Sequence, residues 1–212
     1  DLNVRGLEYL NGPDILIINN VLYSYNAGSQ RYEIPAGVTK IAPSAFKRNQ
    51  SLETLIMPST VTEIGDFAFV DCCNLQEIVS SNNITYIGVY AFAGTEKLTS
   101  IDFSTKMERI NEGAFQYSGL QSISIPSNVK CIDAFAFQYC HELEEVILSE
   151  GLETIAKYAF YDDYSLDNKF INDDDKVRDE LIFELYSGDA FYVDYISFYY
   201  RGTDNEIENT TD

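Results

Sequence analysis

One pattern returns six times and leaves this chain few ways to fold. An Ala-Phe pair stands at Ala45-Phe46, Ala68-Phe69, Ala91-Phe92, Ala114-Phe115, Ala136-Phe137 and Ala159-Phe160, at steps of 23, 23, 23, 22 and 23 residues. An isoleucine lies four residues before each alanine: Ile41, Ile64, Ile87, Ile110, Ile132 and Ile155. A leucine follows each phenylalanine by six residues, or by five in the fourth copy: Leu52, Leu75, Leu98, Leu120, Leu143 and Leu166. Self-similarity this strict marks a solenoid, in which each coil packs mainly on its neighbours. It predicts a long surface and no catalytic cleft.

Each unit opens with an L-x-x-[LIV]-x-h string, as in Leu52/Leu55/Met57, Leu98/Ile101/Phe103, Leu120/Ile123/Ile125 and Leu143/Val146/Leu148. Alternation at its end predicts a short strand with one buried face, and stacked units place these strands in one parallel, concave sheet. Side chains alternate along a strand. With Leu55 and Met57 inward, one outward row is Thr54, Glu77, Ser100, Ser122 and Glu145. The other is Ile56, Val79, Asp102, Ser124 and Ile147, in which apolar and small polar residues mix. Such a surface suits a protein ligand. An ordinary sheet face that uses β-branched residues for strand propensity has the same composition.

Turn-forming strings such as Pro58-Ser59-Thr60 and Pro126-Ser127-Asn128 follow. Apolar pairs such as Val61/Ile64 and Val129/Ile132 then predict a second short strand on the far side of each coil. The phenylalanines are expected to stack as an interior spine. Three residues after each Phe comes a short polar or thiol side chain: Asn49, Cys72, Thr95, Ser118, Cys140 and Asp163. These are read as a ladder that satisfies backbone groups at a buried corner. A second aromatic stripe precedes the Ala-Phe pairs at Phe67, Tyr90, Phe135 and Tyr158, either as padding or as a ramp for sugars.

The strings IPAGVTKIAPSAF (Ile34–Phe46), MPSTVTEIGDFAFVDC (Met57–Cys72) and IPSNVKCIDAFAFQYC (Ile125–Cys140) resemble the BspA-type leucine-rich repeat. The resemblance implies a mainly β leucine-rich-repeat solenoid of six coils. It also implies a surface-exposed or secreted adhesion and recognition module, with neither common catalytic residues nor a cofactor. The expected ligand is a protein bound on the concave sheet, with a glycan as the other class. The alternative is a structural protein that self-associates through an aromatic C-terminal strand.

The ends are expected to differ from the array. Residues 1–34 read as an N-terminal β-hairpin cap, with strands at Ile15 to Ile18 and Val21 to Tyr25 around the two-residue loop Asn19-Asn20. The array occupies 35–166. Residues 167–202 read as an acidic, aromatic cap with strands at Leu181 to Tyr186 and Phe191 to Tyr200, and 203–212 as a disordered tail.

The net charge of −20 argues against nucleic acid and anionic membranes as partners. Acidity is densest at the end, where 167–212 carry 13 acids against 4 bases. No stretch is long and apolar enough to insert in a bilayer. No signal peptide is visible and the chain starts at Asp1, so either a leader was removed or the start is artificial. Monomer or weak self-association is expected. Cys72 and Cys140 stand three coils apart, about 14 Å on strand spacing and beyond disulfide reach, so four free thiols are expected. The single histidine, His141, lies among glutamates and is expected at the surface, not in a catalytic site. Neither metal-ligand spacing nor a phosphate-binding glycine loop is present, and no cofactor is expected.

Overall fold

The computed structural model describes residues 14–80, 83–148, 151–163 and 165–166, with the backbone of 170–172 and 195–197. The expected strand at Leu181 to Tyr186 and the tail 203–212 lie outside these residues. All described elements are strands. The chain opens with β1 (Ile15–Ile18) and β2 (Val21–Tyr25), an antiparallel hairpin in which Ile18 pairs with Val21. Its loop residues Asn19 and Asn20 both have positive φ, 49° and 65°, the conformation that a tight two-residue loop demands and asparagine tolerates.

Six coils follow, each carrying one Ala-Phe pair within its closing corner. Coil one holds β3 (Arg31–Glu33) and β4 (Lys40–Ile41); coil two holds β5 (Thr54–Ile56) and β6 (Glu63–Ile64); coil three holds β7 (Glu77–Val79) and β8 (Tyr86–Ile87). Coil four has one strand, β9 (Arg109–Ile110). Coil five holds β10 (Ser122–Ile125) and β11 (Cys131–Ile132), and coil six holds β12 (Glu145–Leu148) and β13 (Thr154–Ala156). Strands of successive coils pair in parallel and in step with the repeat: Leu55 lies beside Ile78, Ile123 beside Val146, and Ile41 beside Ile64.

The array continues past Leu166. β14 (Phe170–Asn172) pairs in parallel with β12, with Phe170 opposite Val146. The strict repeat would put Lys169 there, so the backbone has advanced one residue and aligned an apolar one instead. β15 (Tyr195–Ser197) pairs antiparallel with β13, so this part of the aromatic run joins the second sheet within the same chain. At the other end β2 pairs with β4 and covers that sheet's first edge, which otherwise presents unpaired backbone groups.

The long-strand layer departs from the single sheet expected. It forms two three-stranded sheets, β3-β5-β7 and β10-β12-β14, separated by coil four. The second strands divide at the same place, into β1-β2-β4-β6-β8 and β9-β11-β13-β15. Two side chains mark this seam. Asn111 donates its amide to the Ile87 carbonyl at 2.6 Å, where the preceding coil junctions have direct backbone bonds from Gly65 to Ile41 and from Gly88 to Ile64. Gly65 and Gly88 permit that approach, since an added Cβ would stand 2.5 Å from backbone nitrogen of the coil before. Phe103 is turned inward and meets Phe115 and Phe137 edge-on, at 5.4 and 6.4 Å.

The spine crosses the seam intact. Phe46, Phe69, Phe92, Phe115, Phe137 and Phe160 stack in order with centroid separations of 4.6, 4.9, 5.5, 5.4 and 5.2 Å. Tyr25 adds a seventh ring, 5.0 Å from Phe46. It lies outside the Ala-Phe pattern and was not visible as part of the spine.

Candidate functional site

The structure offers two surfaces, and each follows from how a coil is held. On the long-strand face, the register places Thr54 beside Glu77 and Ile56 beside Val79. Across the seam it places Ser122 beside Glu145 and Ser124 beside Ile147. The ten candidate residues therefore form two groups and a bridge. Ser100 and Asp102, exposed in the strandless segment of coil four, are the bridge. Glu77, Val79, Ser122 and Ser124 are exposed, with Val79 at 44%, whereas Thr54, Ile56, Glu145 and Ile147 are half-buried. The outward rows predicted from alternation are present, but Ile56 and Ile147 offer less area than a free sheet face would.

The second surface is the corner around each Ala-Phe pair. Here every second N–H reaches the next coil. Ser44 donates to Asp66 at 2.9 Å, Phe46 to Ala68 at 2.8 Å and Arg48 to Val70 at 2.8 Å, while Ala45, Lys47 and Asn49 bond back within their own turn. This alternation requires two left-handed residues per coil. The first set is Ser44, Phe67, Tyr90, Gly113, Phe135 and Tyr158; the second is Arg48, Asp71, Gly94, Tyr117, Tyr139 and Asp162. Their φ values run from 52° to 73°. Such a conformation costs about 1 kcal/mol or more for a bulky side chain, and the inter-coil bonds hold it in place.

Left-handed backbone turns these side chains outward in two columns. In the first, Phe67 stacks on Tyr90 and Phe135 on Tyr158, each at 5.6 Å. In the second, Tyr117 stacks on Tyr139 at 4.5 Å, and Tyr161 meets both Tyr139 and Tyr158 edge-on. The first column is the aromatic stripe read from the sequence. The second was missed, although its signal, the residue two places after each Phe, has the same period.

Behind the corner runs the polar ladder. The Cys72 thiol donates to the Phe46 carbonyl at 3.0 Å, and Cys140 to Phe115 at 3.1 Å. Thr95 bonds Phe92 at 2.7 Å, and Ser118 meets the Cys140 sulfur at 3.2 Å. Asn49 uses its amide on the carbonyls of Tyr25 and Ala27 and accepts from the N–H groups of Ser51 and Leu52. Asp163 is buried and accepts the Cys140 N–H at 2.7 Å. Burial pushes its carboxyl up to about 9.

All four thiols are free. Burial raises Cys72 to about 12 and Cys140 further, so both stay protonated and unreactive. Iodoacetamide at pH 8 is therefore expected to add to Cys73 and Cys131, both half-buried, in the native chain, and to all four only after unfolding. Intact-mass measurement distinguishes two adducts from four. His141 is exposed and meets Tyr139 edge-on at 6.0 Å. Among the described residues no group of His, Cys, Asp and Glu is placed to hold a metal ion.

A stacked-coil scaffold with an inner aromatic spine and outward side-chain columns defines a leucine-rich-repeat solenoid. The BspA type leucine rich repeat region matches with six copies over residues 16–134 and 70–187, and the chain belongs to that family. No curated protein matches it. Among solved structures it resembles a leucine-rich repeat protein of T. pallidum, with 23% identity and a TM-score of 0.62 over 75% of this chain and 77% of that one. A leucine rich cell surface protein of Faecalibacterium prausnitzii is similar at 24% identity and a TM-score of 0.60, over 75% of this chain and 52% of that one. A Bacteroides ovatus leucine-rich repeat protein gives 25% identity and a TM-score of 0.59, over 72% and 47%. The chain thus spans about half the length of the latter two.

Proposed function

We propose that this chain is a non-catalytic recognition module, displayed on a cell surface or secreted, that binds a protein ligand through its long-strand face. The supporting observation is the pair of rows described above. Ile56, Val79 and Ile147 stand outward among serine, threonine and acidic residues, held in register by backbone pairing rather than by their own packing. Small polar and β-branched groups on a rigid sheet present contact area at low entropic cost. The cell-surface description of the Faecalibacterium relative supports the location.

The test is an array of proteins and glycans probed with the folded chain, then with the double variant Ile56→Glu, Ile147→Glu. Both residues are half-buried edges of the rows, so the melting temperature is expected to change little. Protein signals of the native chain are expected to fall tenfold or more in the variant, since burying an unpaired carboxylate costs more than the ~1.4 kcal/mol that a factor of ten represents. Retention of those signals by a folded double variant removes this face as the binding surface.

A further inference from the structure

The outer aromatic stacks follow a rule at their ends. Phe67 is covered on one face by Tyr90, and Lys47 of the preceding coil places its ammonium 5.9 Å from the Phe67 ring. Tyr158 is covered by Phe135, and Lys157 stands 4.9 Å from the Tyr158 ring. Tyr139 ends its stack against the edges of Tyr161 and His141. Tyr90 and Phe135 end their stacks at the level of Gly113, where the Tyr90 ring itself leans into the place of the missing side chain. The sixth end is Tyr117. One of its faces lies on Tyr139, and the other points towards coil three, where the equivalent residue is Gly94. Tyr117 is 48% exposed, and among the described residues no lysine or arginine sits over its ring.

Gly94 is not explained by its backbone alone. Its φ is 73°, but Arg48, Asp71, Tyr117, Tyr139 and Asp162 hold 57° to 66° at the same position with full side chains. What glycine provides here is space. The Asp71 carboxylate of coil two leans into part of that space, with Oδ1 2.9 Å from where a Cβ would stand. Its other oxygen, Oδ2, pairs with Arg48 at 3.2 Å. The neighbouring Lys97 ammonium is engaged by Asn74 at 2.7 Å, and Glu96 is exposed beside it.

We propose that the Gly94 slot receives an arginine side chain of a basic protein partner, its guanidinium stacked on the open face of Tyr117 and hydrogen-bonded to Asp71 Oδ1. Successive coils are about 4.8 Å apart, so a planar group stacked on Tyr117 lies at the level of coil three, where the missing side chain would be. Guanidinium is planar, weakly hydrated and favoured on tyrosine faces. The chain's charge of −20 draws a basic segment in, and the slot fixes where one residue of it sits. This site is on the corner, not on the long-strand face, and stands without it.

Tetra-arginine amide at about 50 mM salt, followed by calorimetry, is the probe. Gly94→Tyr extends the Tyr117–Tyr139 stack into the slot, and Tyr117→Leu removes the ring face; both keep the net charge. Each is expected to weaken binding about fivefold. Asp71→Asn is expected to weaken it more than Glu153→Gln, which makes the same charge change at a distant coil. Native-like melting establishes that the variants fold, and Tyr117→Leu, at an exposed position, decides alone if Gly94→Tyr does not. Binding within twofold of the native chain in a folded Tyr117→Leu, or equal losses for Asp71→Asn and Glu153→Gln, overturns the proposal, as does failure of the native chain to bind the probe.

Discussion

Replacing Phe92 with alanine is expected to lower stability by about 4 kcal/mol, the middle of the range for removing a buried phenylalanine ring. Phe92 has no exposed surface and stands mid-spine, 4.9 Å from Phe69 and 5.5 Å from Phe115. The loss has two parts, the removed apolar area and a cavity that backbone cannot close. Collapse is prevented because the corner N–H groups on either side, those of Tyr90, Phe92 and Gly94, are bonded to coil four. For a chain of this length each kcal/mol moves the melting temperature by roughly 2–4 °C, so a fall of about 10 °C is expected. The position is informative because it adjoins the seam, where strand pairing is absent on both faces. There the spine and corner are the main remaining links between the two halves, so the same substitution at Phe160, near the end of the array, is expected to cost less. A shift of under 2 °C for Phe92→Ala, measured by calorimetry, would show that the spine is not what joins the coils.

Much of this architecture was legible because the repeat reports packing directly. Ala, Phe, Ile and Leu recur at fixed spacing, and each recurring position is buried in the structure. The hairpin was readable from Asn19-Asn20 for a local reason, since two left-handed residues suit that loop. The second aromatic column was not, because its positions carry arginine, aspartate, glycine and tyrosine in turn and share only a backbone angle. Composition does not reveal a left-handed conformation that inter-coil hydrogen bonds impose. The seam was hidden similarly. Coil four keeps Leu98, Ile101 and Phe103 at the expected spacing, yet no strand forms there, and Asn111 takes over a bond that backbone makes elsewhere. The continuation into β14 was hidden by one residue of slippage, which puts Phe170 where the strict repeat has Lys169. In the paired strands the outward residues follow alternation, but Ser100 and Asp102 lie in a segment without a strand, and exposure depends on neighbouring coils and turns that a single-strand argument does not contain.

Asp163→Asn is expected to raise stability at neutral and alkaline pH and to leave it unchanged near pH 4. The carboxyl is buried at the last ladder position, and loss of hydration raises it from 3.8 to about 9 even though the Cys140 N–H favours the ionised form. In the unfolded chain the group ionises near 3.8, whereas the folded chain keeps the proton until about 9. Between those limits the folded state holds the extra proton, so stability falls as pH rises, by at most about 1.4 kcal/mol per unit. Asparagine is neutral throughout and abolishes that slope. It also fits by precedent, for Asn49 fills the same ladder position in coil one and donates its amide to carbonyls 24 and 22 residues earlier. The corresponding acceptors for residue 163 belong to Tyr139 and His141. Melting temperatures of both proteins at pH 4, 6 and 8 make the measurement, because the shared pH dependence of the surface carboxylates cancels in the difference. A gap that widens with pH identifies Asp163 as a buried acid held neutral by the stack; a constant gap, or a less stable variant at pH 8, means that the carboxylate is ionised and stabilised in the folded chain.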